Sequence, residues 1–267
     1  RHSLLAHRSA FRSDGSRSLL RRMGVTTVNW QGRFAILGWG VSGKASAHAL
    51  VKRGAQLRAF DGRAREDDQS ENDANIEFVS EADSDALAQA VIDWKPDCIV
   101  VSPGIPAHHP IFSAAKNAGI ELIGEVELAW RLQEDSEHAG RPWLCVTGTN
   151  GKTTTVGMLG AMLRAAGENA VEVGNIGLPI CEAIDTDATV FAVELSSFQL
   201  HTVSTVSPLA SVCLNVDADH LDWHGSAQAY AADKAKVYHL TQKACFYPAS
   251  DITVENMVAE ADVVEGA

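Results

Sequence analysis

The sequence has 267 residues, enough for one large domain or two of ordinary size. Hydrophobic residues make up 46% and charged residues 21%, a globular composition that excludes a disordered or fibrous protein. The net charge of −12 argues against a nucleic-acid-binding protein, and no apolar run approaches the ~18 residues of a membrane span.

The cysteines indicate the compartment. There are five, they are widely scattered, and they form no CxxC pair. A disulfide framework or a cysteine-based zinc site is therefore not expected. Such usage is typical of a reducing environment, so we expect a cytoplasmic protein.

Residues 1–22 differ in composition from the rest of the chain. They hold six Arg, five Ser and one acid, Asp14, and the first methionine is Met23. This segment resembles an organelle transit peptide; alternatively, translation begins at Met23 and the upstream residues are mis-called coding sequence. We favour the second interpretation and exclude 1–22, as a disordered or mis-called arm, from the fold.

From residue 33, short apolar runs alternate with amphipathic stretches, which predicts βαβ units and a parallel sheet. The expected strands are 34–37, 56–60, 98–101 and 121–123, and the expected helices are 42–53, 84–94, 110–118 and 125–132. A polar break over 133–142, with charge, Gly and Pro, predicts a linker.

A second alternating series follows the break. It predicts strands at 143–147, 170–173, 190–195, 210–216 and 243–247, with helices at 153–166 and 227–240. The chain then runs into an acidic stretch with no predicted closing element. We expect an α/β protein with a Rossmann-like parallel-sheet domain at 33–134 and an incomplete P-loop α/β ATPase-like domain at 143–267.

A glycine turn follows the first predicted strand. Gly38, Gly40 and Gly43 form a GxGxxG pattern that opens a helix, and Asp61 ends the next strand. Such glycines let the backbone approach a diphosphate, and the acid can accept hydrogen bonds from a ribose. The pattern indicates a nucleotide-type ligand, by default NAD; the alternative is a turn that serves only strand–helix packing. The Ser-Pro-Gly-Ile turn at 102–105 is either a ligand loop or an ordinary turn.

A phosphate loop follows the strand at 143–147. The segment 147–155 reads Thr-Gly-Thr-Asn-Gly-Lys-Thr-Thr-Thr, a variant P-loop in which the leading glycine is replaced by Val146. Backbone N–H groups of such a loop bind phosphates, Lys152 adds a positive charge, and the Thr153 hydroxyl suits Mg²⁺. The alternative is a Gly-rich turn with a solvated lysine. An ATP site argues against a dehydrogenase, which has no use for a triphosphate loop.

Three further residues stand near expected strand ends or on the next helix. Glu194 ends an apolar strand where a Walker-B-like acid holds Mg²⁺, although it also fits a solvated strand end. His220 follows the next strand, where a ligand role and a structural role are both open. Lys234, flanked by Tyr230 and Tyr238 at helical spacing, by pattern alone indicates a lysine that reaches solvent.

Together these motifs resemble the Mur ligases, and within that family the branch that adds D-glutamate. The resemblance covers about residues 33–250. Its motifs, in order, are the loop 148–154, Gly-Asn-Ile-Gly-Leu-Pro at 174–179, Glu-Leu-Ser-Ser-Phe-Gln-Leu at 194–200, the segment 215–225 and the helix at 230–238. The turn at 102–105 and Gly-Glu-Val-Glu-Leu at 124–128 point to the same branch.

The resemblance implies ligation of D-glutamate to UDP-MurNAc-L-Ala through an acyl phosphate, driven by ATP with two Mg²⁺ sites. It implies substrate contacts from Val41, Ser42, Asp61, Gly62, Arg63, Gly104, Asn175 and Ser196. It implies ATP contacts from Gly148, Thr149, Asn150, Gly151, Lys152, Thr153 and Thr154. It implies one Mg²⁺ on Thr153 and Glu194 and a second on His220 and Lys234, and catalytic roles for Lys152, Glu194, His220 and Lys234. In this family that lysine is typically carbamylated. The resemblance therefore implies that Lys234 can carry a carbamate, and its chemical state stays open.

These ligases have a third domain that supplies much of the amino-acid site. We therefore expect a fragment that does not turn over alone, a monomer with small-molecule partners only. Two other functions stay open. An NAD-dependent oxidoreductase leaves the phosphate loop unexplained, and a non-catalytic module would bind the UDP-muramoyl peptide and ATP without reaction.

Overall fold

The structure, a computed structural model, describes residues 29–64, 76–217 and 219–264. The predicted arm at 1–22 lies outside these residues. Within them, no helix is long and apolar enough to cross a membrane.

The first sheet within the described residues has five parallel strands in the order β3-β2-β1-β4-β5. They are β1 (Arg33–Leu37), β2 (Gln56–Asp61), β3 (Glu77–Ser80), β4 (Cys98–Val101) and β5 (Glu121–Gly124). β4 is buried throughout and β1 nearly so, as expected for strands covered by helices on both faces. The strand order reverses between β1 and β4, where sheets of this kind bind ligands beyond the carboxyl ends of the strands.

In the described part of the first half, four helices accompany this sheet: α1 (Val41–Val51), α2 (Ser84–Asp93), α3 (Pro110–Ala118) and α4 (Glu125–Glu134). Their ends follow from local chemistry. Asp83 caps α2 by accepting the Ala86 N–H at 2.9 Å. α3 begins with Pro110 and ends before Gly119, whose φ of 67° is the left-handed conformation that favours glycine.

The second sheet of the described chain is also parallel, in the order β10-β9-β6-β8-β7. Its strands are β6 (Trp143–Thr147), β7 (Ala170–Gly174), β8 (Val190–Glu194), β9 (Ala210–Cys213) and β10 (Ala244–Phe246). Its helices are α5 (Lys152–Ala165), α6 (Ile180–Ala183), α7 (Ser197–Leu200), α8 (Leu221–His224), α9 (Ala227–Ala235) and α10 (Ile252–Ala259), with a 3₁₀ turn at Lys236–Tyr238. The predicted fold class, two parallel α/β sheets in series, is confirmed.

Several predicted boundaries are wrong. The predicted linker begins inside α4, because Gln133 is buried there, accepts the Trp143 indole N–H at 2.9 Å and donates to the Arg141 carbonyl at 3.1 Å. The helix predicted to reach residue 240 ends at Ala235 and tightens into the 3₁₀ turn, and Leu240 is left-handed with φ of 54°. The strand predicted to reach residue 216 ends at Cys213.

The acidic stretch after the last predicted strand is also structured. It contains α10, which Asp251 caps by accepting the N–H groups of Thr253 and Val254. Val254 and Met257 of this helix belong to the buried core. The prediction failed here because the five carboxylates of residues 248–267 obscure an apolar stripe of only two buried residues.

The two sheets are joined through α4, whose residues are buried along its whole length. Glu125 at its start is 3% exposed and accepts the backbone N–H of Cys181 at the beginning of α6, at 2.8 Å. At the other end of α6, Asp185 pairs with Arg53 at 3.2 Å and Lys52 at 3.3 Å, both just after α1. α6 is therefore held at both ends by residues from the first half of the chain.

The buried Glu125 makes stability depend on pH. Burial raises the pKa of its carboxyl from 4.5 to about 7, although the N–H groups of Cys181 and Ile180 oppose the shift. Because the folded pKa is the higher, this group contributes its full stability below about pH 4.5 and loses it as pH rises to about 7. In wild type, the free energy of unfolding should therefore fall by at most about 3 kcal/mol as pH rises from about 4.5 to about 7. We expect no such fall in Glu125→Gln, whose side chain cannot ionise. Urea titrations at several pH values check this, with exposed Glu137→Gln as the control; a decline unchanged in Glu125→Gln would contradict it.

Candidate active site

The glycine turn between β1 and α1 is built for close backbone approach. Gly38 has φ of 94°, and its N–H donates to the Phe60 carbonyl at 2.8 Å. A Cβ on Gly43 would overlap the Gly38 carbonyl oxygen, so only glycine fits there. Gly40 caps α1 without a side-chain hydrogen bond, which leaves the helix N-terminus facing the cleft with Val41 73% exposed. An N-terminus of this kind attracts anions.

Asp61 at the end of β2 shapes the same cleft. Its carboxylate accepts the Trp39 N–H at 2.7 Å and the Arg63 N–H at 2.9 Å. The acid predicted to meet a ribose thus also ties the glycine turn to the loop after β2. Each carboxylate oxygen has a second lone pair, so the group can still accept from a ligand.

The cleft has a volume of about 530 Å³ and gathers all the residues predicted from the first sheet to contact substrate. Its lining comprises Gly38, Gly40, Val41, Ser42, Asp61, Gly62, Arg63, Ser102, Pro103, Gly104 and Ile105. The turn at 102–105 therefore lies on the cleft. The Ser102 hydroxyl donates to the Gly38 carbonyl at 2.7 Å, which joins the two loops across the sheet.

The phosphate loop lies between β6 and α5, as predicted. Gly148 and Gly151 have φ of 151° and 84°. Asn215, to which the sequence assigned no role of its own, holds the loop by accepting the N–H groups of Thr149 at its carbonyl, 3.0 Å, and of Asn150 at its side chain, 2.8 Å. The Lys152 ammonium donates to the carbonyls of Gly148 at 2.9 Å and Thr149 at 3.0 Å. The lysine thus curls over the loop rather than reaching into solvent.

Glu194 is 1% exposed at the end of β8 and lies against the loop. Its carboxylate accepts the Thr153 hydroxyl at 2.9 Å and the Asn175 side-chain amide at 2.9 Å. Gly174, with φ of 106°, lies too close to the Glu194 backbone to carry a Cβ. Ser196 is placed beside this group as the cap of α7, in a reciprocal hydrogen-bond pair with Gln199.

Lys234 differs from its pattern-based interpretation. It is 2% exposed, not solvated, and its ammonium donates to the Gly148 carbonyl at 2.9 Å and lies 4.7 Å from the Tyr230 ring centre. Burial, with repulsion from Lys152, lowers the pKa of its ammonium from 10.5 to about 8. Tyr230 also hydrogen-bonds Thr149 through its hydroxyl at 2.9 Å, so α9 contacts the phosphate loop at two points.

His220 lies at the outer edge of this region, with its side chain half exposed and a left-handed φ of 51°. Its ring lies 4.8 Å from that of Phe198 and 6.4 Å from that of Tyr230, and its Nε2 is 3.5 Å from Asp219. His220 and Lys234 therefore both approach Tyr230. Among the described residues, no group of three His, Cys, Asp or Glu could hold a metal without other ligands.

Sequence reasoning missed a buried cluster behind His220. Asp233 accepts from His201 at 2.8 Å and from His224 at 3.0 Å, and its other oxygen pairs with Lys236 at 3.0 Å. Burial raises the pKa of Asp233, but the hydrogen bonds from His201 and Lys236 outweigh it and the net pKa is lowered. Two features of the sequence could have indicated this cluster: the acid Asp233 directly before Lys234, and a second histidine, His224, four residues after His220.

The first cleft lies next to the junction of the two sheets. The turn at 102–105 also borders a narrow crevice between the sheets, formed opposite it by Phe198, Gln199 and Trp223. The turn therefore contacts both the first cleft and the start of the second half of the site region at α7.

Comparisons with known proteins match both halves of the chain. Residues 146–264 match the family model described as the Mur ligase middle domain, and residues 32–124 that of the MurD-like N-terminal domain of Mur ligases. The UDP-N-acetylmuramoylalanine–D-glutamate ligase of Leifsonia xyli subsp. xyli is 43% identical over 254 residues, 90% of this chain and 49% of that protein. The one of Thermobifida fusca is 47% identical over 210 residues, 77% of this chain and 44% of that protein.

The chain thus spans about half the length of the curated relatives it matches. Among solved structures, the UDP-N-acetylmuramate:L-alanyl-gamma-D-glutamyl-meso-diaminopimelate ligase from Neisseria meningitides aligns with a TM-score of 0.51 and 18% identity, over 87% of this chain and 76% of that one. At that identity the likeness shows a shared fold.

Proposed function

Because the chain belongs to the Mur ligase family, we propose that it serves the ATP-dependent joining of D-glutamate to UDP-MurNAc-L-Ala in the cytoplasmic synthesis of peptidoglycan precursors. One observation carries the proposal: a cleft at a helix N-terminus beyond the first sheet and a phosphate loop backed by a buried acid beyond the second lie in a single chain. The names of the curated relatives support the choice of D-glutamate.

The first cleft would hold the uridine diphosphate. Its anionic phosphates suit the uncapped N-terminus of α1 at Val41 and Ser42, and Arg63 adds a cation 86% exposed at its side chain. Asp61 would accept a hydrogen bond from the nucleoside, and Gly62 and Gly104 leave room for it. The muramoyl group would then extend past the turn at 102–105 toward the second sheet, where Asn175 and Ser196 lie beside Glu194.

The loop at 148–154 would bind ATP. Magnesium fits the neighbouring donors: the Glu194 carboxylate and the Thr153 hydroxyl are hard oxygen ligands that already meet at 2.9 Å, and phosphate oxygens and water would complete the shell. Bound there, Mg²⁺ would neutralise charge on the transferred phosphoryl group. To meet the metal, Thr153 would turn its hydroxyl proton away from Glu194.

The proposed reaction has two steps. The substrate carboxylate attacks the γ-phosphorus of ATP, the bond to the ADP oxygen breaks, and an acyl phosphate forms. The amine of D-glutamate then attacks that carbonyl, a C–N bond forms, inorganic phosphate leaves with its electron pair, and the amine proton goes to solvent or a base. The Lys152 ammonium would neutralise the negative charge that builds on the transferred phosphoryl group. The backbone N–H groups of the loop would hold the phosphates in line for the attack.

Lys234 would act as a carbamate at a second Mg²⁺ site with His220. The buried ammonium, with a pKa of about 8, releases its proton more readily than an ordinary lysine. The neutral amine can attack CO₂, forming a C–N bond and losing a proton to solvent, and the product offers oxygen ligands in place of a repelling cation. Lys234 and His220 both approach Tyr230, which supports their joint use.

We expect ¹³CO₂ to give the wild-type chain a carbamate signal in ¹³C NMR besides that of the α-amino group, and Lys234→Arg to lack this additional signal. Lys243→Arg, a change at a lysine outside the site, is the control. Persistence of the additional signal in Lys234→Arg would contradict the assignment.

The first-cleft ligand is tested by calorimetric titration of the chain with UDP-MurNAc-L-Ala, with NADH in a parallel cell. We expect the muramoyl nucleotide to bind and NADH not to, and Asp61→Ala to weaken binding about tenfold, since a charged hydrogen bond contributes about 1.5–3 kcal/mol. Asp93→Ala, in the same half of the chain but on α2, is the control. Binding of NADH alone would favour the oxidoreductase and overturn the proposal.

A further inference from the structure

We propose that Asp233 is a positioning residue: it fixes the rings of His201 and His224 and thereby holds the Phe198–His220 pair at the edge of the phosphate-loop site. The inference rests on the proposed function in one respect only, namely that the phosphate-loop site binds ATP with Mg²⁺. It concerns side chains behind the residues that would touch metal or substrate.

The carboxylate of Asp233 is the centre of the cluster. It is 6% exposed and receives three donors: His201 Nδ1 at 2.8 Å, His224 Nδ1 at 3.0 Å and Lys236 Nζ at 3.0 Å. A buried carboxylate is retained without large cost only when such partners compensate its desolvation. Because these donors come from the end of α7, from α8 and from the turn after α9, one side chain joins three segments.

The orientation of His224 follows from its partners. Its side chain is 1% exposed, and Nδ1 faces a carboxylate that only accepts, so Nδ1 carries the hydrogen. Its Nε2 lies 3.0 Å from the hydroxyl of Ser197, at the start of α7, and in the neutral ring it accepts from that hydroxyl. The ring is thus fixed at both nitrogens.

His224 in turn supports the aromatic pair that reaches the site. It stacks on Phe198 with ring centres 5.5 Å apart and an angle of 20° between planes, and Phe198 contacts His220 at 4.8 Å. His220 itself is half exposed and has Asp219 as a polar neighbour at 3.5 Å. Its ring orientation therefore depends strongly on Phe198 and Tyr230.

A Ser–His–Asp arrangement also occurs in hydrolases, with the serine as nucleophile. Here Ser197 is 2% exposed, and the crevice between the sheets is lined by its neighbours Phe198 and Gln199 instead. A substrate carbonyl has no approach to the Ser197 hydroxyl, so the arrangement orients rings and does not perform acyl transfer. Asp233 precedes Lys234, which donates to the phosphate loop, so adjacent residues of α9 serve the two sides of the site.

The test combines imidazole ¹⁵N NMR with ATP titrations at varied Mg²⁺ in the 267-residue chain. In wild type, we expect His224 as the neutral Nδ1–H tautomer. In wild type, Oδ2 of Asp233 accepts from both rings and Oδ1 faces the Lys236 ammonium. In Asp233→Asn, an amide oxygen left on the rings would point the –NH₂ group at that ammonium, so we expect the –NH₂ group to turn to the rings and the His224 tautomer to be lost. We expect the Mg²⁺ concentration for half-maximal ATP binding to rise about tenfold, as for other residues that orient metal ligands. Asp187→Asn, an exposed carboxylate in the same half of the chain, should change neither quantity.

A purely structural role would lower the melting temperature of Asp233→Asn without moving the Mg²⁺ midpoint, and that result would overturn the inference. A wild-type His224 found as the Nε2–H tautomer would overturn it as well. If Asp233→Asn does not fold, Ser197→Ala removes the other hydrogen bond of His224 and is expected to shift the His220 resonances; unshifted resonances would count against the inference. If wild type binds no ATP, the proposed function fails, and the tautomer and the His220 resonances decide the inference alone.

Discussion

Lys152→Met is expected to weaken ATP binding about 100-fold, because removing one partner of a desolvated charge pair costs roughly 2–5 kcal/mol. The Lys152 ammonium already lies within 3.0 Å of two loop carbonyls, so it is positioned before nucleotide arrives. Methionine keeps the unbranched apolar stem of the side chain and lacks only the terminal ammonium, so the main change is the loss of the charge. Calorimetric titration with ATP and Mg²⁺ measures the effect.

Lys116→Met, at an exposed lysine on α3, is the matched control and should leave ATP affinity unchanged. An affinity of Lys152→Met within threefold of wild type would mean that the lysine is only a solvated neighbour of the turn. The loop would then be a glycine turn that serves packing.

Glu127→Ala is expected to lower the free energy of unfolding by about 3–5 kcal/mol, since breaking a buried pair leaves polar groups uncompensated. The Glu127 carboxylate is fully buried and accepts from the N–H of Ser204 at 2.9 Å, from the N–H and hydroxyl of Thr205 at 2.9 and 2.6 Å, and from Arg131 at 2.8 Å. It ties α4 to the segment between α7 and β9, so its loss should also loosen the junction of the two sheets.

Glu121→Ala provides the comparison for this effect. Glu121 pairs with the same Arg131 guanidinium at 2.8 Å, but its side chain is 52% exposed. We expect a smaller loss from its removal than from Glu127→Ala, because Glu121 is half exposed and the Arg131 guanidinium keeps its buried partner Glu127. Equal losses for the two variants in urea unfolding would show that burial does not set the contribution of Glu127.

The strands of both sheets could be predicted from the sequence because the signals that mark a buried parallel strand lie within a few neighbouring residues. Parallel strands covered on both faces give short apolar runs such as Cys98–Val101, and turn glycines mark where each strand ends. The phosphate loop was recognisable for the same reason: the residues that bind phosphate in it are contiguous. The carboxyl ends of parallel strands meet at one edge, which brought Glu194 to the loop as expected.

What the sequence did not reveal depends on long-range contacts. Asn215 serves the loop from 65 residues away, through its carbonyl and its side chain. The polarity of Gln133 and Glu134 suggested a linker, yet Gln133 is buried because it hydrogen-bonds Trp143, on the first strand of the second sheet, and the carbonyl of Arg141 just before that strand. Likewise, nothing in the spacing of Lys234 shows that its stem and ammonium are enclosed by Tyr230 and the loop.

The central claim, that the two sheets carry separate sites for a nucleoside-diphosphate substrate and for ATP, is tested most directly by one calorimetric experiment. ATP with Mg²⁺ is titrated into the chain alone and into the chain saturated with UDP-MurNAc-L-Ala. We expect one ATP per chain in both titrations, with no loss of affinity in the second. Competition, with ATP binding abolished by the muramoyl nucleotide, would show a single shared site and contradict the account.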